Sequence, residues 1–220
     1  MPNYAWNEMS IKKKDFDEFV RCRDENCPEK NIVDFNVLIP MPADISDESG
    51  TETDRAFLYF VSEKGALTWN EIINKYGKFM RRISSCSYDN LLKWIENGWY
   101  TAENLDLMYK RGGELYEAAK KYGAFDWYNW CYKYWGTKWN AFDCELEDWP
   151  DENDPEEAEY KIYLRFTTAW GAPEEWIKEL AKHCDFTINT DIEGCDDRYR
   201  YVCENGELKA YKTEFVPYEF

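Results

Sequence analysis

The side chains of this 220-residue chain that could do chemistry are few and poorly grouped. Its only histidine, His183, precedes Cys184, but adjacent helical residues point in different directions and make a poor nucleophilic pair. A cation near a helix C-terminus is the simpler role for His183. Cys22-x4-Cys27 has no neighbouring histidine or second cysteine pair, so a structural zinc site is not expected. Cys195-Asp196-Asp197, after Asp191 and Glu193, could hold a hard cation weakly but lacks the EF-hand spacing and reads as a loop. No G-x-S-x-G, P-loop or G-x-G-x-x-G occurs. No catalytic group, metal or cofactor is therefore expected, and nothing argues positively for an enzyme.

What the chain has instead is rings. Phe125 to Asp143 reads FDWYNWCYKYWGTKWNAFD, with Trp127, Trp130, Trp135 and Trp139 among its tryptophans. Trp127, Trp130, Cys131 and Trp135 recur at helical offsets, and Gly136 reads as the stop that follows. Lys138 to Phe142 then leaves as an extended segment. Two readings stand side by side. The rings are core, because each buries a large apolar area. Alternatively they wall a ligand pocket, with Trp135, Thr137, Lys138, Trp139, Asn140, Arg165, Thr167, Thr168 and Trp170 as its lining. Rings stack on bases, and Lys138 or Arg165 could meet a phosphate.

A second feature is charge. The net charge is −17, from 44 acids against 27 bases, which opposes nonspecific binding to nucleic acid or anionic membrane. Glu145 to Glu159 holds nine of those acids and no base. It reads as a solvated loop, or as a patch that imitates a phosphate backbone toward a basic groove. Candidate partner-binding residues are Glu145, Glu147, Asp148, Asp151, Glu152, Asp154, Glu156 and Glu157. Eight cysteines without an N-terminal signal segment read as reduced thiols, and no run of eighteen apolar residues occurs. A cytoplasmic protein is expected.

The elements that must position these residues can be read in order. Met9 and Ile11 alternate with polar neighbours as a short strand. Asp15 with Glu18 resembles a capping box before a helical face of Phe16, Phe19 and Val20. Ile32 to Ile39 reads as a second strand, and Ala43 to Asp54 as an exposed loop. Helical patterns follow around Trp69 to Tyr76, Leu91 to Ile95 and Thr101 to Met108, with a break expected at Gly112-Gly113. Tyr160, Ile162, Leu164 and Phe166 alternate against Lys161, Tyr163, Arg165 and Thr167 as the clearest strand. Pro173 opens a helix with Trp176, Ile177 and Leu180 buried. RYRYVCENGELKAYKTEF reads as a hairpin about Asn205-Gly206, placing Tyr201 opposite Ala210 and Cys203 opposite Leu208. The expected fold is a single α+β domain over 1–220, an antiparallel sheet with a helical insertion at 60–136 and an acidic loop at 145–159.

Four blocks carry a family resemblance. MPNYAWNEMSI, DFNVLIPMP, DWYNWCYKYWGTKWNAFD and FTTAWGAPEEWIKELAK resemble, in order, conserved blocks of the phage- and plasmid-borne Api-ninety-two-like (YubB-like) group. Tyr4-Ala5 stands where that group usually has Trp-Cys, and Gly171-Ala172 replaces part of a Ser-Pro-Pro step. The group's carboxy-terminal part is described as a ferredoxin-like domain, and it has no assigned activity. The resemblance implies a mobile-element accessory protein in a bacterial host cell. The first functional expectation is a non-catalytic protein that inhibits a host defence or nucleic-acid-handling complex, such as a CRISPR effector, through its acidic surface. On that reading the partner is a host protein or ribonucleoprotein with a basic surface, and direct nucleic-acid or membrane binding is not expected. The alternative is a protein that sequesters or converts a small nucleotide-like ligand.

Overall fold

The computed structural model describes residues 3–23, 32–80, 83–146 and 160–214. The chain divides into two compact units, one of residues 1–40 with 131–220 and one of residues 41–130.

The first unit is built on a six-stranded antiparallel sheet. Its elements are β1 (Tyr4–Lys12), α1 (Lys13–Phe19), a 3-10 turn at Phe35–Val37, and, beyond the second unit, β2 (Phe142–Leu146) and β3 (Lys161–Ala169). A helix at Glu174–Leu180, β4 (Phe186–Ile192), β5 (Asp197–Glu204) and β6 (Glu207–Glu214) complete it. The strand order is β2-β3-β1-β4-β5-β6. Its first four strands, with one helix after β1 and one after β3, form a ferredoxin-like split β-α-β arrangement. The β5–β6 hairpin extends the sheet beyond β4, with Tyr201 opposite Ala210 and Cys203 opposite Leu208 as the turn chemistry requires.

Strict alternation puts one face of this sheet in the core. Ala5, Asn7, Met9 and Ile11 of β1 are buried, as are Ile162, Leu164 and Phe166 of β3. Phe16, Val20, Phe35, Trp176, Ile177 and Leu180 are buried in the same unit, and Phe35 packs 4.8 Å from the Trp176 ring. A one-residue slip would turn every buried side chain outward, so burial fixes the register. A buried polar knot adds to it: Asn7 donates to Thr168 Oγ1 at 2.9 Å and to the Phe166 carbonyl at 3.2 Å.

Two local expectations for this unit are corrected. The strand expected at Ile32–Ile39 does not form. Val33 makes only an isolated bridge to Arg21, and Asp34 caps a 3-10 turn by accepting from the Asn36 amide at 2.9 Å. The Phe35 amide donates to Asn140 Oδ1 at 2.9 Å, so a side chain takes a group that a ladder would use. Nor does Asp15 cap a helix: α1 begins at Lys13 with no side-chain cap.

The second unit is helical, with α2 (Thr51–Val61), α3 (Trp69–Tyr76), α4 (Ser85–Glu96) and α5 (Ala102–Tyr122). α6 (Trp127–Tyr134) runs across the division, and the helix at Glu174–Leu180 is α7. The core of this unit gathers Phe57, Leu58, Val61, Ile72, Leu91, Leu115 and Phe125. Phe57 and Phe125 stack with centroids 4.4 Å apart. Thr68 and Glu71 make a reciprocal capping box, and Thr101 with Asn104 makes another.

The helical unit spans Met41–Trp130, and α2 begins at Thr51, inside the acidic stretch read as a loop. Glu52 and Asp54 lie in its first turn, where acids suit the helix dipole. α5 also runs unbroken through Gly112-Gly113. A Cβ on Gly112 would come 2.1 Å from the Ala56 carbonyl oxygen, so these glycines mark where α2 presses on α5, not a break.

Candidate functional site

The aromatic block is chiefly mortar. Trp130, Cys131 and Trp135 are buried, and the Trp135 indole donates to the Ile39 carbonyl at 3.0 Å. The Trp135 carbonyl accepts from the Trp176 amide at 3.3 Å, satisfying a donor in the first turn of α7. Gly136 makes this approach feasible. It adopts φ +83°, and a Cβ there would lie 2.8 Å from the Glu174 amide nitrogen. Thr137 is fully buried and donates to the Ala169 carbonyl at 2.8 Å. Asn140, expected at a pocket rim, is a tie: it accepts from the Phe35 and Ala141 amides and donates to Asp34 Oδ1 at 2.6 Å. Thr168 is equally buried and donates to the Gly171 carbonyl at 2.7 Å. Trp135, Thr137, Asn140 and Thr168 thus spend their polar groups inside the fold.

The rest of the candidate set sits elsewhere. Lys138 places its ammonium 4.4 Å from the centroid of Trp139 and 5.4 Å from that of Trp170. Trp170 has φ +72°, and its amide donates to the Asn3 carbonyl at 2.8 Å. Arg165 and Thr167 belong to the other face of the sheet, the one the core does not use. Of the acidic candidates, Glu145 is exposed on β2. Glu147, Asp148, Asp151, Glu152, Asp154, Glu156 and Glu157 lie outside the described residues.

That outward face was not singled out by sequence reasoning, and it is where separated strands converge. The pairing sets its residues in rows across the strands. One row runs Phe142, Thr167, Trp6, Asp191, Arg198. The next runs Glu145, Arg165, Glu8, Asn189, Arg200, and a third Tyr163, Ser10, Thr187, Val202. A bulge between Phe142 and Glu145, with Asp143 at φ +47°, brings both of those side chains to the outward rows.

Trp6 is 50% exposed and Tyr163 49%, an unusual outlay of ring surface for the two central strands. Arg165 lies between them, two residues from Tyr163 and opposite Glu8. Its Nε is 3.5 Å from Glu8 Oε1, and Arg198 sits 3.3 Å from Glu8 Oε2 and 3.0 Å from Asp191 Oδ2. These pairs are half-open to water and each contributes about 0–1 kcal/mol, so a stronger acceptor can draw the guanidinium groups away. Between them lies a shallow depression of about 410 Å³ lined by Glu8, Ser10, Tyr163, Arg165, Asn189 and Arg200. Across the four central strands the outward bases are Lys12, Lys161, Arg165, Arg198 and Arg200, against Glu8, Asp191 and Glu204. The centre of this face is thus locally basic on a chain of net charge −17, while Glu145 and Glu207 lie on its edge strands.

The arrangement can stack planar rings and hold anions. Among the described residues no group of three metal-ligating side chains occurs. Desolvation pushes the buried Cys144 thiol up to about 11 and the half-buried Cys184 thiol up to about 12, away from the thiolate form. None of the described cysteines is bridged. No described helix is long and apolar enough to cross a membrane.

No family model matches the chain, and no curated protein does. Among solved structures, the crystal structure of a protein Api92 from Yersinia pseudotuberculosis, assigned to the family model DUF1281, aligns over 100% of both chains with 8% identity and a TM-score of 0.37. The likeness is loose, and a score of that size carries neither fold nor function.

Proposed function

We propose that this chain is a non-catalytic binding protein whose outward sheet face takes a nucleotide-like ligand. The observation that carries the reading is the Trp6–Arg165–Tyr163 arrangement on the two central strands, beside the 410 Å³ depression. An exposed ring stacks on a base whatever its identity, and a guanidinium matches a phosphate's paired oxygens. Arg165 and Thr167 come from the pocket set expected from sequence, but the aromatic block does not supply the platform. The test is to incubate the protein with nucleotides and nucleotide second messengers, separate the complex, release bound material by heat and analyse it by chromatography. Intact ligand retained by the wild type and lost in Trp6→Ala supports binding without catalysis. Conversion of the ligand would make the protein an enzyme, and no retention at all would remove the reading.

A second reading is favoured by the net charge of −17 and by the nine acids of Glu145 to Glu159. There the acidic surface meets a basic groove of a host defence or nucleic-acid-handling complex, and the chain acts as an inhibitor for a phage or plasmid. The four sequence blocks support that setting. Reversing Glu145, Glu147, Asp148 and Asp151 to lysine should weaken binding to an identified partner and flatten its salt dependence. Unchanged affinity would exclude the acidic surface as the contact.

A further inference from the structure

We infer that the outward face of the sheet takes not one nucleotide but a single-stranded oligonucleotide, stacking one base on Trp6 and another on Tyr163 with the intervening backbone held by Arg165. The inference rests on the nucleotide-like reading above and deepens it. Trp6 pairs with Thr167 and Tyr163 with Ser10, so the two rings are four residues apart along the strands. At about 3.4 Å per residue and one strand spacing of about 4.8 Å, that is roughly 14 Å. No single base spans that distance, so covering both rings takes two bases, which an oligonucleotide supplies on one backbone. Arg165 falls midway, about 7 Å along from each, where the backbone joining the two bases must pass.

Charge supports the same occupant. The whole chain repels polyanions, yet Lys12, Lys161, Arg165, Arg198 and Arg200 outnumber Glu8, Asp191 and Glu204 in the outward rows of the central strands. Lys161 and Lys12 continue the track past Tyr163, and Arg200 borders the depression on the side of β5. The expectation against nucleic acid came from net charge, which averages over a surface that the fold makes uneven. A duplex fits poorly, because its bases are already stacked and its edges offer the rings nothing. The ring platform on central strands of an antiparallel sheet is a general solution for single strands.

The test uses the full chain and fluorescence anisotropy with labelled oligothymidine and oligouridine, roughly twelve nucleotides long to fill one site. A blunt duplex of the same length and unlabelled uridine monophosphate are the comparisons. The expected result is saturable binding of a single strand below roughly 100 μM protein, tighter than the duplex. Trp6→Ala and Tyr163→Ala should each weaken it by about 5- to 150-fold. If Arg165 and one further base engage phosphates, affinity falls about sevenfold between roughly 50 and 200 mM salt. Both ring variants alter exposed side chains, and unchanged circular dichroism shows that they fold. Trp99→Ala, an exposed ring of the helical unit, should leave binding intact. Retention of a mononucleotide with no gain for the oligonucleotide overturns this inference while the nucleotide-like reading stands. Equal binding of duplex and single strand, or loss with neither ring variant, overturns it as well. No binding of any of these probes overturns both.

Discussion

Asn7 and Thr190, 183 residues apart, share one fully buried hydrogen bond: the threonine hydroxyl donates to Asn7 Oδ1 at 2.8 Å. The amide of the same asparagine donates to Thr168 Oγ1 and to the carbonyls of Ala5 and Phe166. Three strands, β3, β1 and β4, are therefore pinned at one level by a side chain that no slipped register could satisfy.

Replacing Asn7 with alanine should destabilise the protein by about 1–3 kcal/mol, because the Thr190 hydroxyl is left buried without its acceptor. Valine at both positions removes both halves of the bond and should cost less than the two single changes together. Urea unfolding of the four proteins of that cycle measures the coupling directly.

Gly112 and Gly113 are adjacent but should behave differently. Gly112→Ala drives a Cβ to 2.1 Å from the Ala56 carbonyl oxygen, a backbone atom that cannot step aside, and should cost about 1–3 kcal/mol. Gly113→Ala meets only the Phe60 ring edge at 3.1 Å and gains up to about 1 kcal/mol of helix propensity. It should lie within about 1 kcal/mol of wild type. Thermal melts of the two variants separate close packing from a simple dislike of glycine in helices.

Tyr201 is buried, and its hydroxyl donates to Glu174 at 3.0 Å. Burial first, and the Glu174 charge second, raise its pKa above the ordinary 10.0. A raised folded value means stability that is fully present below pH 10 and lost as pH rises through the folded value. Tyr201→Phe should therefore cost about 0.5–1.5 kcal/mol at neutral pH, yet lose less than wild type between pH 10 and higher pH. Denaturant midpoints across that alkaline range measure the difference.

Lys138→Ala and Asn140→Ala should part company. Lys138 holds two ring contacts in a half-buried position, worth about 0.5–1 kcal/mol, so its loss shifts the melting temperature by about 2–4 °C at most. Asn140 ties Asp34, Phe35 and Ala141 together, and its loss should cost about 1–3 kcal/mol. Trp135→Ala should cost more than either, about 3–5 kcal/mol. Calorimetry of the three variants ranks them.

The strands with period-two alternation were legible: β1 from Met9 and Ile11, β3 from Tyr160 to Thr167, and the final hairpin from Asn205-Gly206. Helices announced by Thr68 and Thr101 were legible for the same local reason. Phe35 was not, because its segment looks β-branched and apolar, while its backbone is claimed by Asp34 and Asn140 from 105 residues away in the latter case. The outward face was half legible. The polar phase Lys161, Tyr163, Arg165, Thr167 is plain in the sequence, but that Trp6 and Arg200 join it depends on which strands pair. Pairing is a long-range fact, and no local pattern encodes that β1 lies between β3 and β4.

That placement of β1 has a kinetic consequence. The central strand precedes the helical unit, and both of its neighbours come after residue 160. The helical unit, which is formed wholly within residues 41–130, can form while β1 still waits for a partner. Lengthening the intervening loop costs little at equilibrium, about 0.6 kcal/mol for each doubling, but the wait leaves an apolar strand edge unpaired in the nascent chain. A chaperone that binds extended apolar segments should therefore find its target in Tyr4–Lys12, and refolding should show the helical signal returning before the environment of Trp176 does.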